Sequence, residues 1–219
     1  MEGSVTAIVI RAEERMDSDY LLRLFSAEGV ISAVMRGVRK ASSKMKFAAQ
    51  PFAFCVYELS GRGEIPVVTG ATQIEDFSGI AEDIVSFSAC SVMLEAARYS
   101  VDAVDCPDSF VSLLKCIKAV LYSAVNPAIV AIKYLQKLLF SSGFFRPEKG
   151  ELPEKDNCII SADKLCKAVA ASRLDELLEI TASDEAINSA LAITADKFEK
   201  FFYCTLSSAR FFTGKKRSV

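Results

Sequence analysis

The stretch YLLRLFSAEGVISAVMRGV, residues 20–38, decides how the first part of this chain folds. Its two apolar halves, 20–27 and 30–38, lie on either side of Glu28-Gly29, a pair that is typical of a turn. The pattern predicts two strands joined by a short glycine-containing loop, which is a β-hairpin.

Three more segments around this hairpin have the composition of strands. They are 4–11, 51–59 and 64–76, and the last two flank a turn signal at 60–63. Pro66 fits the start or the edge of a strand, where a missing N–H costs little. No helix long enough for a parallel crossover interrupts these five strands. The sequence therefore predicts a small barrel, in which closure hides the sheet edges.

From residue 79 onward, apolar residues recur at helical spacing. Asn126-Pro127 supplies an N-cap followed by proline at the first helical position. The predicted helices cover 78–101, 106–124, 126–144, 161–180 (as one helix or two) and 184–212, with a flexible loop over 146–160. The predicted fold class is thus α+β, with a small five-stranded barrel at 1–77 followed by an all-α helical domain at 78–219.

Composition narrows the class of protein. The chain has 219 residues, 51% of them hydrophobic, and a net charge of -2, so it is able to bury a core. It has no apolar run long enough for a bilayer and no basic leader, which predicts no signal peptide and no membrane partner. The 7 cysteines have no CxxC spacing, which predicts reduced thiols in a cytoplasm.

The sequence also argues against an enzyme. It contains no histidine, which removes the commonest general base, and it has neither a P-loop nor a GxGxxG motif after a strand. We therefore predict no catalytic residue and no cofactor. Cys158 and Cys166 lack partners for a four-ligand zinc site, so no metal is predicted either.

The stretch RGVRKASSKMKF, residues 36–47, lies between the third and fourth predicted strands and contains no acidic residue. One interpretation is a solvated loop. The other is a DNA-binding loop, because OB-type barrels bind single strands through a face and flanking loops, with cations along the phosphates. The candidate DNA-binding residues are Arg36, Arg39, Lys40, Lys44, Lys46 and, on the other hairpin, Arg62.

A second basic region covers residues 111–150, with six basic residues and one acidic residue. Two lysine pairs each share a helix face: Lys115 with Lys118, and Lys133 with Lys137. They are either solvated or they line a groove for an acidic peptide.

These features together resemble a known family. The matching residues are Ser18-Asp19 before an apolar strand, Phe25 with Gly29, the run Arg36-Gly37-Val38-Arg39-Lys40, then Ser43, Gln50-Pro51-Phe52 and Gly61. In order and spacing they resemble the N-terminal region of the RecO family, bacterial mediators of recombination. Residues 138–147 and the last predicted helix are similar to later parts of that family.

The resemblance implies an OB-fold domain followed by a helical domain. It implies DNA repair and homologous recombination by binding single- and double-stranded DNA and annealing complementary strands, in a cytoplasmic, nucleoid-associated protein. The implied partners are RecR and the acidic C-terminal tail of single-strand binding protein, with RecA loaded indirectly at gaps.

Two points set limits on the resemblance. Many family members carry a four-cysteine zinc module after the central helices, and only Cys158 and Cys166 fall there in this chain. We therefore expect that module to be absent. The mildly acidic composition keeps an alternative open, a protein-interaction scaffold that does not bind DNA.

Overall fold

A computed structural model of the chain describes residues 2–15, 18–61, 63–143 and 158–213. The chain divides into two compact units. The first comprises Met1–Gly79 and Cys106–Val111, and the second comprises Ile80–Asp105 and Ser112–Val219. The predicted domain boundary after residue 77 and the predicted loop at 146–160 stay predictions, and residues 146–157 of that loop lie outside the described residues.

The first unit contains a closed barrel of five strands in its described part. The strands are β1 Glu2–Glu14, β2 Tyr20–Ser26, β3 Gly29–Met35, β4 Phe54–Ser60 and β5 Val67–Glu75. Their order around the barrel is β1-β2-β3-β5-β4, with β4 returning to pair with β1. All pairs are antiparallel except β3 with β5, which is parallel. This arrangement confirms the predicted fold class, a five-stranded OB-fold barrel followed by helices.

The β2–β3 hairpin closes on a loop of Ala27 and Glu28, because Ser26 pairs directly with Gly29. The hydroxyl of Ser26 donates to the Gly29 carbonyl at 3.1 Å and accepts from the Glu28 N–H at 3.1 Å. Gly29 has a φ of 120°, which side chains rarely adopt, and this explains the glycine at the start of β3.

Alternate residues of each strand fill the barrel interior. The strand residues of this buried inner cluster are Ala7, Val9, Leu22, Leu24, Ala33, Met35, Cys55, Tyr57, Leu59 and Val68. A register shift between Val9 and Arg11 places one extra residue in β1, so that Ala12 and then Glu14 continue the inward-facing row.

The outer side of β1, β2 and β4 carries an aromatic cluster. Phe25 contacts Phe110 edge to face, with ring centroids 5.6 Å apart, and Phe54 stacks on Phe77 at 6.0 Å. Phe110 belongs to the Cys106–Val111 segment of the same unit. This cluster gives the barrel a second apolar layer outside the one that fills its interior.

Pro66 precedes β5 directly, as predicted for a strand start, and it closes the barrel there. It has no N–H to give, but its carbonyl accepts from the Val34 N–H at 2.9 Å. Val34 is also the residue of β3 that pairs with Val67. The parallel β3–β5 junction is therefore short.

The helices of the described residues are α1 Ile84–Ser100, α2 Cys106–Tyr122, α3 Pro127–Ser141, α4 Ala162–Ala171, α5 Asp184–Phe202 and α6 Arg210–Thr213. Side chains cap the first turns of α1, α3 and α5, where Asp83, Asn126 and Ser183 accept backbone N–H groups. The Asp83 cap starts α1 later than predicted, after a 3₁₀ turn at Ser78–Glu82. Residues 161–180 form two pieces, α4 and a 3₁₀ turn at Asp175–Glu179.

The prediction of one helix over 184–212 is wrong. Helix α5 ends at Phe202 because Tyr203 turns into the left-handed region, with a φ of 49°. Two carboxylates then accept hydrogen bonds from backbone N–H groups that would bond to helix carbonyls if the helix continued. Glu199 accepts from Leu206 at 2.7 Å, and Glu95 accepts from Ser208 at 2.9 Å. None of these helices, within the described ranges, has the length and hydropathy to cross a membrane.

Candidate nucleic-acid interface

The basic loop, defined here as residues 36–47, is fastened to the start of β2. The Gly37 N–H donates to Oδ1 of Asp19 at 2.7 Å, and the Arg39 N–H donates to the Ser18 carbonyl at 3.0 Å. Gly37 has a φ of 64°, so the turn that aims its N–H at Asp19 favours glycine. The residues Ser18-Asp19 and Arg36 to Lys40 are thus linked by hydrogen bonds although they are distant in sequence.

The other end of the basic loop is fastened from inside the barrel. A 3₁₀ turn covers Lys46–Ala49, and its Ala48 and Ala49 are buried. The buried Tyr57 hydroxyl on β4 donates to the Ala48 carbonyl at 2.9 Å. Burial raises the pKa of Tyr57 far above its ordinary value, so the phenol stays protonated and keeps donating.

The five predicted cations of this loop are all exposed, at positions Arg36, Arg39, Lys40, Lys44 and Lys46. Arg39 is the most constrained of those with printed contacts. Its Nη1 lies 2.9 Å from Oε2 of Glu14, and its guanidinium carbon lies 6.0 Å from the centre of the Tyr20 ring. Lys46 donates a long hydrogen bond of 3.4 Å to the Ala41 carbonyl. Arg62, the sixth predicted cation, lies outside the described residues.

Two cavities adjoin the basic loop. The first, which we call the Tyr20 cavity, has a volume of about 250 Å³ and is lined by Tyr20, Val38, Arg39, Lys46 and Gln50. The second, which we call the Arg36 cavity, has a volume of about 290 Å³ and is lined by Arg15, Asp19, Val34, Arg36, Ile65 and Val67. Each cavity is bordered by the basic loop and by one residue at the start of β2 or just before it, Tyr20 in the first cavity and Asp19 in the second.

The Arg36 cavity brings together three connections of the barrel. Arg15 and Asp19 belong to the β1–β2 connection, Arg36 to the β3–β4 connection and Ile65 to the β4–β5 connection. In OB-folds, the β1–β2 and β4–β5 loops are the ones that border the ligand-binding face. The position of the cavity therefore fits a nucleic-acid interface, and its two arginines supply charge for a phosphate.

Sequence reasoning missed several residues of this site, namely Glu14, Arg15, Tyr20 and Gln50. Arg15 is surrounded by acidic neighbours in the sequence, which hides it from a search for basic clusters. A signal for Tyr20 did exist, since it continues the alternation of the inward-facing Leu22 and Leu24 beyond the barrel core.

The predicted peptide-binding lysines have different surroundings. Lys115 and Lys118 are exposed on α2, whereas Lys133 and Lys137 on α3 are half-buried. The Lys133 ammonium donates to the carbonyls of Val169 at 3.0 Å and Ala170 at 3.2 Å, and also to that of Ser172.

These three carbonyls lie at the C-terminal end of α4, which is the negative end of the helix dipole. Burial lowers the pKa of Lys133, but the carbonyls keep its charge compensated. We therefore expect Lys133 to stabilise the fold, and the peptide contacts of Lys115, Lys118 and Lys137 stay predictions.

None of the seven cysteines forms a disulfide in the described residues, and burial raises the pKa of Cys90 and of Cys116 to about 12, which makes these two thiols poor nucleophiles. Cys158 is exposed, whereas the half-buried Cys166 contacts Thr194 Oγ1 at 3.6 Å. In the part of the chain that the structure describes, no three Cys, Asp or Glu side chains are grouped as a metal site.

Comparison with known proteins identifies the barrel. Residues 1–77 match the family described as Recombination protein O N terminal. The chain is 32% identical over 150 residues to the DNA repair protein RecO of Desulfitobacterium hafniense, covering 68% of this chain and 54% of that protein. It is 34% identical over 90 residues to the DNA repair protein RecO of Heliobacterium modesticaldum, covering 41% of this chain and 33% of that protein.

A third relative, the DNA repair protein RecO of Cutibacterium acnes, is 28% identical over 146 residues, which cover 63% of this chain and 59% of that protein. The chain thus matches about a third to three fifths of the length of these relatives. The strand order, the basic loop fastened by Ser18 and Asp19, and these matches lead to one conclusion: the chain belongs to the RecO family.

Proposed function

We propose that this chain is a non-enzymatic mediator of DNA repair and homologous recombination. In this proposal it binds single- and double-stranded DNA through the barrel and anneals complementary strands. It acts together with RecR and with the acidic C-terminal tail of single-strand binding protein, and it helps to load RecA at gaps. The free thiols fit a reducing, cytoplasmic setting close to the nucleoid.

The observation that carries the proposal is the placement of the cations. The basic loop is held at both ends, by Asp19 on one side and by Tyr57 on the other. A held loop loses less conformational freedom when it binds, so its charges are presented at a lower entropic cost. Phosphates are the natural ligand of exposed arginines and lysines that border an OB-fold face.

Annealing by such a surface requires no catalytic base. Cations that neutralise the phosphates of two strands reduce the repulsion between them, and base pairing then supplies the free energy. ATP is not needed for this step. Phosphate contacts carry no sequence information, so binding is expected to be indifferent to sequence.

The test is a titration of the full chain against a fluorescently labelled single-stranded oligonucleotide at several KCl concentrations, read by anisotropy. Each phosphate contact contributes a slope of about -0.7 to log affinity against log salt. The double variant Arg39→Glu, Lys40→Glu is expected to weaken binding to every sequence and to flatten that slope. Lys115→Glu with Lys118→Glu on α2 makes the same change in net charge outside the basic loop and serves as the control.

Three results would count against the proposal. One is a salt slope near zero, the second is unchanged affinity in the Arg39, Lys40 variant, and the third is an equal loss in both double variants. Absence of any DNA binding favours the alternative, a protein-interaction scaffold that does not bind DNA. The acidic pI of about 5.4 also supports this alternative.

We propose a separate surface for the acidic tail peptide, at Lys115, Lys118 and Lys137. The two lysines of α2 are exposed, whereas the half-buried Lys133 ammonium donates to backbone carbonyls at the end of α4. Anisotropy of a labelled acidic, phenylalanine-ended peptide tests this. Unchanged peptide affinity in the Lys115→Glu, Lys118→Glu variant places the binding surface elsewhere.

A further inference from the structure

We propose that the Tyr20 cavity receives one unpaired nucleobase of the bound strand, with the Tyr20 ring as its stacking surface. The inference rests on the proposed function and deepens it, because it names the form of DNA that the site selects. Phosphate contacts can form with single strands and with duplexes. A subsite for a base can be filled only by a base that is not paired with another base.

The strand register explains why an aromatic ring stands at this place. Glu14 pairs with Tyr20 across β1 and β2, and Tyr20 pairs with Met35 across β2 and β3. Residues directly opposite each other lie on the same face of a sheet, so Tyr20 belongs to the inward-facing row that contains Leu22. Tyr20 is the first residue of β2, so its ring packs against one end of the inner core and is only half-buried there.

The loop then supplies the walls of the cavity. After β3 ends at Met35, the chain turns at Gly37 and returns past the start of β2, because Arg39 is hydrogen-bonded to Ser18. This path places Val38 and Arg39 beside the ring, and the 3₁₀ turn adds Lys46. The cavity exists because both ends of the loop are fastened to the barrel.

Its size and lining suit a nucleobase. The volume of about 250 Å³ falls just below the roughly 300–1,000 Å³ typical of sites for drug-sized ligands. The half-buried Tyr20 ring offers apolar surface for one face of a planar base, whereas Val38 lines the cavity but is only 2% exposed. The Gln50 amide has both a donor and an acceptor, which matches the mixed edges of the bases.

The charges around the cavity suit the strand that carries the base. Its lining residues include two cations, Arg39 and Lys46, and Glu14 forms an ion pair with that Arg39 beside the cavity. The adjoining Arg36 cavity adds Arg15 and Arg36, together with Asp19, whose carboxylate accepts from the Gly37 N–H. A strand whose base enters the Tyr20 cavity therefore finds arginines on the neighbouring cavity for a flanking phosphate.

The experiment compares two single-stranded oligonucleotides of equal length, one of thymidines and one in which every base is replaced by an abasic tetrahydrofuran residue. Both present the same phosphates, so their affinities for the full chain differ through base contacts. Stacking of one base on an aromatic side chain predicts that the abasic strand binds about five- to tenfold more weakly.

Three variants then test which residues cause the difference in affinity between the two strands. Tyr20→Phe keeps the ring and is expected to retain the preference, whereas Tyr20→Leu is expected to bind both strands about equally. Gln50→Ala is expected to reduce the preference in part. Thermal unfolding of each variant is measured first, since Tyr20 packs against the barrel core.

The outcomes separate the two proposals. Equal affinity of the wild-type chain for both strands, with a normal salt slope, overturns the base subsite and leaves the proposed DNA binding intact. A preference that persists unchanged in Tyr20→Leu overturns the assignment to Tyr20. Failure of the wild-type chain to bind either strand overturns both proposals. The comparison of strands uses the wild-type chain, so an unstable Tyr20→Leu variant does not block the test.

Discussion

Glu14 at the end of β1 forms an ion pair with Arg39 of the basic loop, with 2.9 Å between Oε2 and Nη1. The pair lies at the Tyr20 cavity, because Glu14 is the direct cross-strand neighbour of Tyr20. A carboxylate on a cation of the candidate DNA-binding loop competes with phosphate. We therefore expect Glu14 to hold Arg39 in place in the free chain and to weaken the proposed binding of a strand.

The first prediction follows from this ion pair. Replacement Glu14→Gln is expected to tighten binding of a single-stranded oligonucleotide about two- to fivefold, since exposed ion pairs contribute about 0.2–1 kcal/mol. Anisotropy titration measures the change. Glu13→Gln is the matched control, because Glu13 pairs with Arg11 and not with the loop. An equal gain in both variants attributes the effect to net charge alone.

The second prediction concerns the anchor between Asp19 and Gly37. Asp19→Ala removes the carboxylate that accepts the Gly37 N–H at 2.7 Å. A hydrogen bond to a charged group contributes about 1.5–3 kcal/mol, and the half-buried setting puts the expected loss of unfolding free energy near the lower end. Oligonucleotide affinity is expected to fall too, because the loop is no longer held.

Ser18→Ala is the control for the anchor, since Ser18 accepts from Arg39 through its backbone carbonyl, which alanine keeps. Urea unfolding and anisotropy are measured on both variants. If Asp19→Ala matches wild type in both measurements, the hydrogen bond does not organise the loop.

The third prediction concerns Tyr57. Tyr57→Phe leaves the buried Ala48 carbonyl without its 2.9 Å donor, and we expect a loss of about 1–3 kcal/mol in unfolding free energy. Tyr203→Phe is the control, because that ring is 96% exposed and its hydroxyl is in water. A Tyr57→Phe variant as stable as Tyr203→Phe contradicts the structural role of the hydroxyl.

The same tyrosine predicts a pH dependence. Burial raises the pKa of Tyr57 in the folded chain above its ordinary value of 10.0. At pH values above about 10 the unfolded chain loses this proton while the folded chain keeps it, so Tyr57 lowers stability as pH rises. The difference in unfolding free energy between wild type and Tyr57→Phe is therefore expected to shrink above pH 10. A difference that stays constant from pH 8 to pH 11 argues against a buried, protonated phenol.

The fourth prediction concerns Lys133. Lys133→Met is expected to cost about 1–3 kcal/mol of unfolding free energy, because the carbonyls at the end of α4 lose a charged donor. Lys115→Met, at an exposed position on α2, is expected to change stability by less than about 0.5 kcal/mol. Denaturant unfolding measures both, and equal stability of the two variants shows that the Lys133 contacts contribute little.

Much of the fold could be predicted because its signals are local. The turn before Gly29, the start of β5 after Pro66 and the cap at Asn126 each depend on a few adjacent residues and on backbone geometry. The break of the last helix could not be predicted in this way. The stretch after Phe202 has helical composition, but Glu95, a residue far away in the sequence, takes the N–H of Ser208.

The candidate site also has some features that the sequence shows and others that only the structure shows. The cluster of cations in the basic loop is visible in the sequence as charge. The residues that contact the loop are not visible in the sequence in this way. Glu14, Asp19 and Tyr20 reach the loop only through strand pairing. Lys133 is a further example. Its helical spacing in the sequence is typical of a solvated lysine, whereas in the structure its ammonium donates to a carbonyl at the end of α4.

The sequence alone determined the strands, most of the helices and the position of a basic loop between β3 and β4, because periodicity, turn residues and caps act over a few residues. Only the tertiary structure decided that β3 pairs in parallel with β5, that the loop is fastened to Asp19 and Tyr57, and that Tyr20 borders a cavity. The physical reason is that barrel closure sets the register of distant strands through the packing of all their inward-facing side chains at once.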